Sequence, residues 1–357
     1  MISPDKALQQ VSQRYQGAWQ YVETIRRAKE DAKFDWPHSC FIPINAWIDI
    51  AQRSLLQQGT AIDKTDLLSL PLLAAVGTWR YSKGIYRFDE TLYDALLDTP
   101  ITGNIPSSLF NNLPEWCVYI ETPNLNWSDK DGDSGKIHGM FVHVDYDMHT
   151  GEQELRFVFD SNSGYIPLPV QIGDWTIEDG LTRMREVSTE RTGITYRVKN
   201  RETGEAISDT KDPKFKEIIK ELSDFVSHAM SLVLYLCSEK KDVTLKGKDA
   251  EMVEPEMKIV KGKQRLFESR ERKVYEVGYR IGSAIRKHNE QVEKEAKEPS
   301  GKPRGAMPAH VRRAHWHTYW RGARGTHDRT AYVLWLNPIL VNVHNADDLI
   351  TTVHPVL

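Results

Sequence analysis

The sequence predicts an α+β fold in three parts: a helical N-terminal region, a central antiparallel β-sheet with packed helices, and a basic β-rich C-terminal region. Apolar residues recur at helical spacing from Leu8 to Leu97, and beyond Leu113-Pro114 short runs of Val, Ile, Tyr and Phe replace them. Basic residues gather late. Residues 258–329 hold 8 Lys and 11 Arg against 7 Glu and 1 Asp, a balance of +11, which leaves −14 for the rest of a chain of net charge −3. The 357 residues have room for one large domain or two ordinary ones.

Taken in order, Ser3-Pro4 is a helix start, and Leu8, Val11, Tyr15, Trp19, Val22 and Ile25 carry one helix over 4–33. Asp35-Trp36-Pro37 forces an extended exit. A second helix over 45–58 stops at Gly59, a third over 64–81 contains Pro71, and Asp89 caps a short helix through Leu97, so 1–112 reads as helical. The stretch 113–175 reads as β-rich, with strands over 116–121, 137–146 and 154–160, and an edge strand over 165–172 because of Pro167 and Pro169. Helices fill 176–239, the second with an apolar stripe of Phe215, Ile218, Leu222, Phe225, Val226 and Met230. Between them, 188–212 is polar and reads as a loop or small hairpin. These parts make an acidic body, 1–245. The basic region, 258–357, comprises a helix over 274–297, a Pro/Gly linker over 298–308 and a β-hairpin over 310–343. Gly278 and Gly282 sit four apart on one face of that helix, which permits close backbone contact.

An acidic body joined to a basic third implies different partners for the two; alternatively, the halves neutralise each other within the fold. Cys40, Cys117 and Cys237 are few, odd in number and far apart, which excludes a disulfide framework and fits a reducing cytoplasm. The opening MISPDKALQQ shows no leader pattern, and the longest apolar run, 232–237, is far too short to span a bilayer, so no membrane partner is expected.

The stretch 310–325, HVRRAHWHTYWRGARG, holds four arginines, three histidines, two tryptophans and a tyrosine. Cations interleaved with aromatic faces suit a phosphate-bearing, planar or protein partner. The candidate binding residues are His310, Arg312, Arg313, His315, Trp316, His317, Tyr319, Trp320, Arg321 and Arg324. In a strand, alternation puts Arg313, His315, His317 and Tyr319 on one side, toward a groove or partner. Trp316 and Trp320 fall on the more apolar side and are expected to pack inward. His315, His317, Tyr319 and Arg313 are also the residue types that metal-independent RNA cleavage needs, a proton carrier beside a cation. Packing of the tryptophans under capping arginines is the plainer alternative. His315 and His317 can ligate a metal, but His143, His327 and His344 lack a recognisable spacing as further ligands, and no metal is expected. Glycine-rich phosphate loops, a nucleophile elbow and a helical His-Glu-x-x-His are absent, so no cofactor is expected.

Five segments together resemble a known family: GTWRYSKGIYRFDE (77–90), IPSSLFNNLPEWCVYIE (105–121), YLCSEKKDVTLKG (235–247), YEVGYRIGSAIRKHN (275–289) and HVRRAHWHTYWRG (310–322). In that order they look like the second class of type V-A anti-CRISPR proteins. The resemblance implies a mobile-element protein of the bacterial cytoplasm that lowers production of the type V-A effector nuclease. On that view it binds the effector's N-terminal polypeptide as it leaves the ribosome and causes loss of the message, with the ribosome, the mRNA or a host ribonuclease as further partners. The resemblance carries no catalytic residues over. Ala314 and Thr318 stand where the family pattern has glycine, which leaves room for a different target. A ribonuclease acting through the 310–321 face, and a nucleic-acid-binding module of a mobile element, are the alternatives.

Overall fold

A computed structural model describes residues 4–31, 33–61, 63–123, 125–128, 134–162, 164–190, 213–250, 257–260, 262–297, 310–324 and 329–341. The expected linker 298–308 and most of the polar stretch 188–212 lie outside them.

Four helices open the chain: α1 (Pro4–Arg14), α2 (Ala18–Glu30), α3 (Ile44–Gln57) and α4 (Lys64–Trp79). The single helix expected over 4–33 is two, because Gly17 adopts φ 80°, a left-handed turn that glycine takes at no steric cost. Asp63 and Asp66 form a reciprocal capping box at the start of α4, and Pro71 is accommodated inside it. Strand β1 (Gly84–Phe88) then corrects the reading of 1–112 as wholly helical. Buried on nearly every position, five residues long, it shows no period that sequence reading can detect. Helix α5 (Glu90–Leu97) follows, with Asp89 accepting from the N–H groups of Thr91 and Leu92, and a 3₁₀ turn spans Ser107–Asn112.

The β-rich middle supplies β2 (Cys117–Glu121), β3 (Asn126–Ser128), β4 (Ser134–Tyr146), β5 (Gln153–Ser161) and β6 (Gly164–Ile172). After α6 (Ile177–Glu190) and α7 (Pro213–Cys237) come the short strands β7 (Val243–Leu245), β8 (Lys248–Asp249), β9 (Met257–Val260) and β10 (Lys263–Leu266). The remainder is β11 (Lys273–Val277), α8 (Tyr279–Lys297), β12 (His310–Arg312), β13 (His315–Arg321), β14 (Thr330–Leu336) and β15 (Ile339–Val341). One nine-stranded sheet runs β6-β5-β4-β2-β1-β11-β7-β8, with β3 beside β4. Strand β6 is at the edge, where Pro167 and Pro169 withhold ladder donors.

The sheet is antiparallel except at its centre, where β1 runs parallel to both β2 and β11. That pairing also corrects two boundaries. The helix expected over 274–297 begins as strand β11, and the chain turns into α8 at Gly278 (φ 76°), where a Cβ would collide with Leu92. The division between an acidic body and a basic third falls inside one sheet, since β11 lies between β1 and β7. Electrostatics follows suit. Arg272 pairs with Asp5, Arg280 with Asp242 and Asp249, Arg286 with Asp89, and Arg321 with Glu239, so part of the basic surplus is neutralised against the body.

Alternation along the strands sorts two cores. Phe141, Tyr119 and Val158 face α1–α4, meeting Trp47, Leu73 and Trp79. Met140, Val142, Phe157 and Phe159 face the other way, meeting Leu92, Phe110, Val226 and Met230. The second core is the one that carries the hairpin described below.

One buried acid makes the fold pH-sensitive. Glu115, just before β2, is 6% exposed and accepts a hydrogen bond from Ser82 Oγ at 2.8 Å, beside the stacked rings of Tyr86 and Tyr275. Burial pushes its carboxyl up to about 7 against the pull of the Ser82 hydroxyl. An acid whose folded pKa is raised stabilises fully only below its unfolded value, about 4.3, and that contribution is lost as pH rises through the folded value. The loss is on the order of 3 kcal/mol. Glu115→Gln should therefore raise the melting temperature at about pH 8 and leave it little changed at about pH 5. Equal shifts at both would refute the assignment.

Candidate functional site

Strands β13 and β14 pair residue for residue, from His315↔Leu336 to Arg321↔Thr330, so each face of the hairpin is set by alternation. The inner face is fastened to α7 and to the end of α5. Trp316 is 7% exposed and donates its indole N–H to Ser231 Oγ at 3.1 Å, and Ser231 donates in turn to the Thr99 carbonyl. Trp335, opposite Trp316, donates to Thr99 Oγ1 at 3.1 Å, and Val333 is buried beside them.

Trp320 departs from the expectation that both tryptophans pack inward: it is 48% exposed. It lies four residues beyond Trp316, about 13 Å along the strand. The core that holds Trp316 and Val333 does not extend to it. The Arg329 guanidinium covers its ring at 4.7 Å instead.

The outer face carries His315, His317, Tyr319 and Arg321; Arg313, expected beside them on one continuous strand, falls in the break between β12 and β13, where alternation no longer fixes its side. His317 meets Tyr319 edge-on at 4.4 Å, Tyr319 stacks on Tyr332 at 5.4 Å, and Arg321 lies over Tyr332 at 4.8 Å. Arg321 also forks onto Glu239 with bonds of 2.7 and 2.8 Å. His317 is exposed, His315 and Tyr319 are half-buried, and Arg313 and Arg324 are exposed. His315 Nδ1 lies 3.2 Å from the Arg313 carbonyl. His310 and Arg312 belong to β12, which pairs with β15 at the base of the hairpin.

The result is a ladder of planar rings flanked by cations, on a two-stranded support. Arg321 has given its fork to Glu239, and the described neighbour of the outward-facing His317 is Tyr319. His143, considered as a further metal ligand, is buried on β4 and alternates with Phe141 on the sheet face opposite the hairpin; His327 and His344 lie outside the described residues. Sequence reading missed Tyr332, Arg329 and Glu239. Tyr332 sits in an alternating strand, so its signal was present, but its match to Tyr319 needed the hairpin register. Glu239 is 82 positions from Arg321 and had no local signal.

Among the described residues, no helix is long and apolar enough to cross a membrane. Protein FinQ of Escherichia coli is 25% identical to this chain over 280 residues, which is 78% of either chain. The crystal structure of AcrVA2 matches with a TM-score of 0.61 at 22% identity, covering 94% of this chain and 97% of that one, so the fold is shared. Residues 86–343, from within β1 through the hairpin, match the AcrVA2-like family, described as the anti-CRISPR type V subtype A2 family. With a match that takes in the sheet centre and the whole aromatic ladder, the chain belongs to the AcrVA2-like family of anti-CRISPR proteins directed at type V-A.

Proposed function

We propose that this anti-CRISPR protein lowers production of the type V-A effector by binding its N-terminal polypeptide during translation and triggering loss of the mRNA, with the ribosome, the message or a host ribonuclease as the downstream partner. The observation that supports an adaptor role is the outward ladder of His317, Tyr319 and Tyr332, with Arg321 over Tyr332 and paired to Glu239. Exposed, stacked aromatic rings beside an arginine are the residue types that anchor protein contacts.

Purified protein should capture the effector's N-terminal polypeptide without RNA, and capture restricted to folded, guide-loaded effector would overturn the reading. Replacing Arg312 and Arg313 together should leave polypeptide binding within about a few fold while abolishing mRNA loss in cells, because the fork of arginine holds phosphate or carboxylate as few side chains can. A double variant that melts early and loses both activities would instead assign these arginines to the fold.

The contact between His317 and Tyr319 favours a second reading, in which the chain itself cleaves RNA. Cleavage of effector message by purified protein, abolished by His317→Ala with polypeptide binding intact, would establish it. A nucleic-acid module without a polypeptide target would show itself by RNA or DNA affinity that falls steeply with salt.

A further inference from the structure

The hairpin leaves unused a groove on the opposite side of the sheet. It holds about 300 Å³ between α2, the end of α4, and β10 with the two residues that follow it. Two arginines there are held by rings rather than by acids alone. Arg26 lies over Phe41 and Trp116, each at 5.0 Å, and donates to the Phe41 carbonyl at 3.1 Å. Arg80 lies over Trp19 at 4.7 Å and pairs with Glu268. Arg27 pairs with Glu23 on the same wall.

Two cations are left over. Among the described residues, neither Arg26 nor Arg265, which also lines the groove, has a carboxylate at ion-pair distance. A half-buried guanidinium in that state has given up hydration without gaining an ionic partner, and an incoming carboxylate would supply one. Burial pulls the Arg26 guanidinium below its ordinary value, with Glu30 acting against that through space. Beside the arginines, Phe267 is 37% exposed, with the Lys258 ammonium over its ring at 5.4 Å, and Leu266 is half-buried, so the apolar surface left between them can seat an apolar side chain.

We propose that this groove is the anchor for an acidic residue of the captured polypeptide, its carboxylate between Arg26 and Arg265, an apolar neighbour on Phe267 and a basic neighbour toward Glu30. The inference rests on the polypeptide-capture reading above. A nucleic acid fits poorly, because its phosphates would meet Glu23, Glu30 and Glu268 around the same cavity. A small free carboxylate would pair with the arginines and leave Phe267 uncovered. The groove and the ladder lie on opposite faces of the sheet, so polypeptide and downstream partner can be held together.

The test uses overlapping fluorescent peptides that tile the effector's N-terminal segment. A binding peptide should weaken about tenfold or more when its acidic residue is changed to the amide, and likewise with Arg265→Gln or Arg26→Gln, the weight of one charge-assisted contact. Thermal melts of both variants exclude misfolding, and Arg265→Gln serves if loss of the Arg26 stack unfolds the protein. In parallel, N-acetylglutamate methylamide is used as a probe and should protect Arg26 and Arg265 from phenylglyoxal, read by mass spectrometry. Peptides that bind equally to folded groove variants would overturn the groove assignment and leave polypeptide capture standing. No peptide binding, with protection by the probe intact, would overturn polypeptide capture and retain a carboxylate site. Absence of both effects would overturn the groove as a site of any kind.

Discussion

Trp316→Ala should be among the most damaging single changes in the hairpin, costing about 3–5 kcal/mol, the range for emptying a large buried aromatic site. The indole is 7% exposed, and its removal deletes the bond to Ser231 that ties β13 to α7. Trp335 and Val333 would line the resulting void on β14. Denaturant midpoints should fall with the slope unchanged, and limited proteolysis should cut the hairpin first. Trp320→Ala is the control. At 48% exposure it should cost no more than about 1 kcal/mol. Equal destabilisation by the two would mean that the hairpin sits on the body differently.

Gly282→Ala should destabilise by about 1–3 kcal/mol, the range for overpacking a tight contact, although alanine ordinarily improves a helix interior by up to about 1 kcal/mol. A Cβ at Gly282 would land on the carboxylate of Asp89. That carboxylate cannot step aside cheaply. It caps α5 through the N–H groups of Thr91 and Leu92, at 3.0 and 3.3 Å, and takes Arg286 at 2.8 and 3.0 Å. The clash therefore disturbs a helix cap together with an ion pair whose carboxylate is buried and whose arginine is half exposed. Adding Asp89→Ala to Gly282→Ala removes the clash, so the double variant should be less destabilised than the sum of the singles. Simple additivity would disprove the steric account.

Local signals in the chain were read correctly wherever one segment contained the whole cause. Asp89 as a cap, the buried Val226 and Met230 of the α7 stripe, the edge position of β6 and the strands at 315–321 and 330–336 all follow from spacing or from proline chemistry within a few residues, whereas the single strand expected over 310–321 is interrupted at Arg313-Ala314. The break at Gly17 was missed because the apolar period continues across it, and only the backbone at φ 80° reveals the turn. Strand β1 was passed over between two helices of a region read as helical, and β11 was taken into the start of a helix, for a related reason. Each is five residues long and sits in the middle of the sheet, where neighbours on both sides decide the conformation.

The sequence by itself determined the α+β class, the pairing of cations with aromatics at 310–325 and the side of β13 on which His315, His317 and Tyr319 appear, because composition and a two-residue period need no partner to be legible. The tertiary structure alone decided that β11 joins β1 and β7, that Trp316 is buried while Trp320 is open, that Arg321 belongs to Glu239, and that Arg26 and Arg265 share a groove. Each of those is a contact between segments far apart along the chain. Burial and ion pairing depend on what the fold places opposite a residue, and periodicity records only which way that residue points.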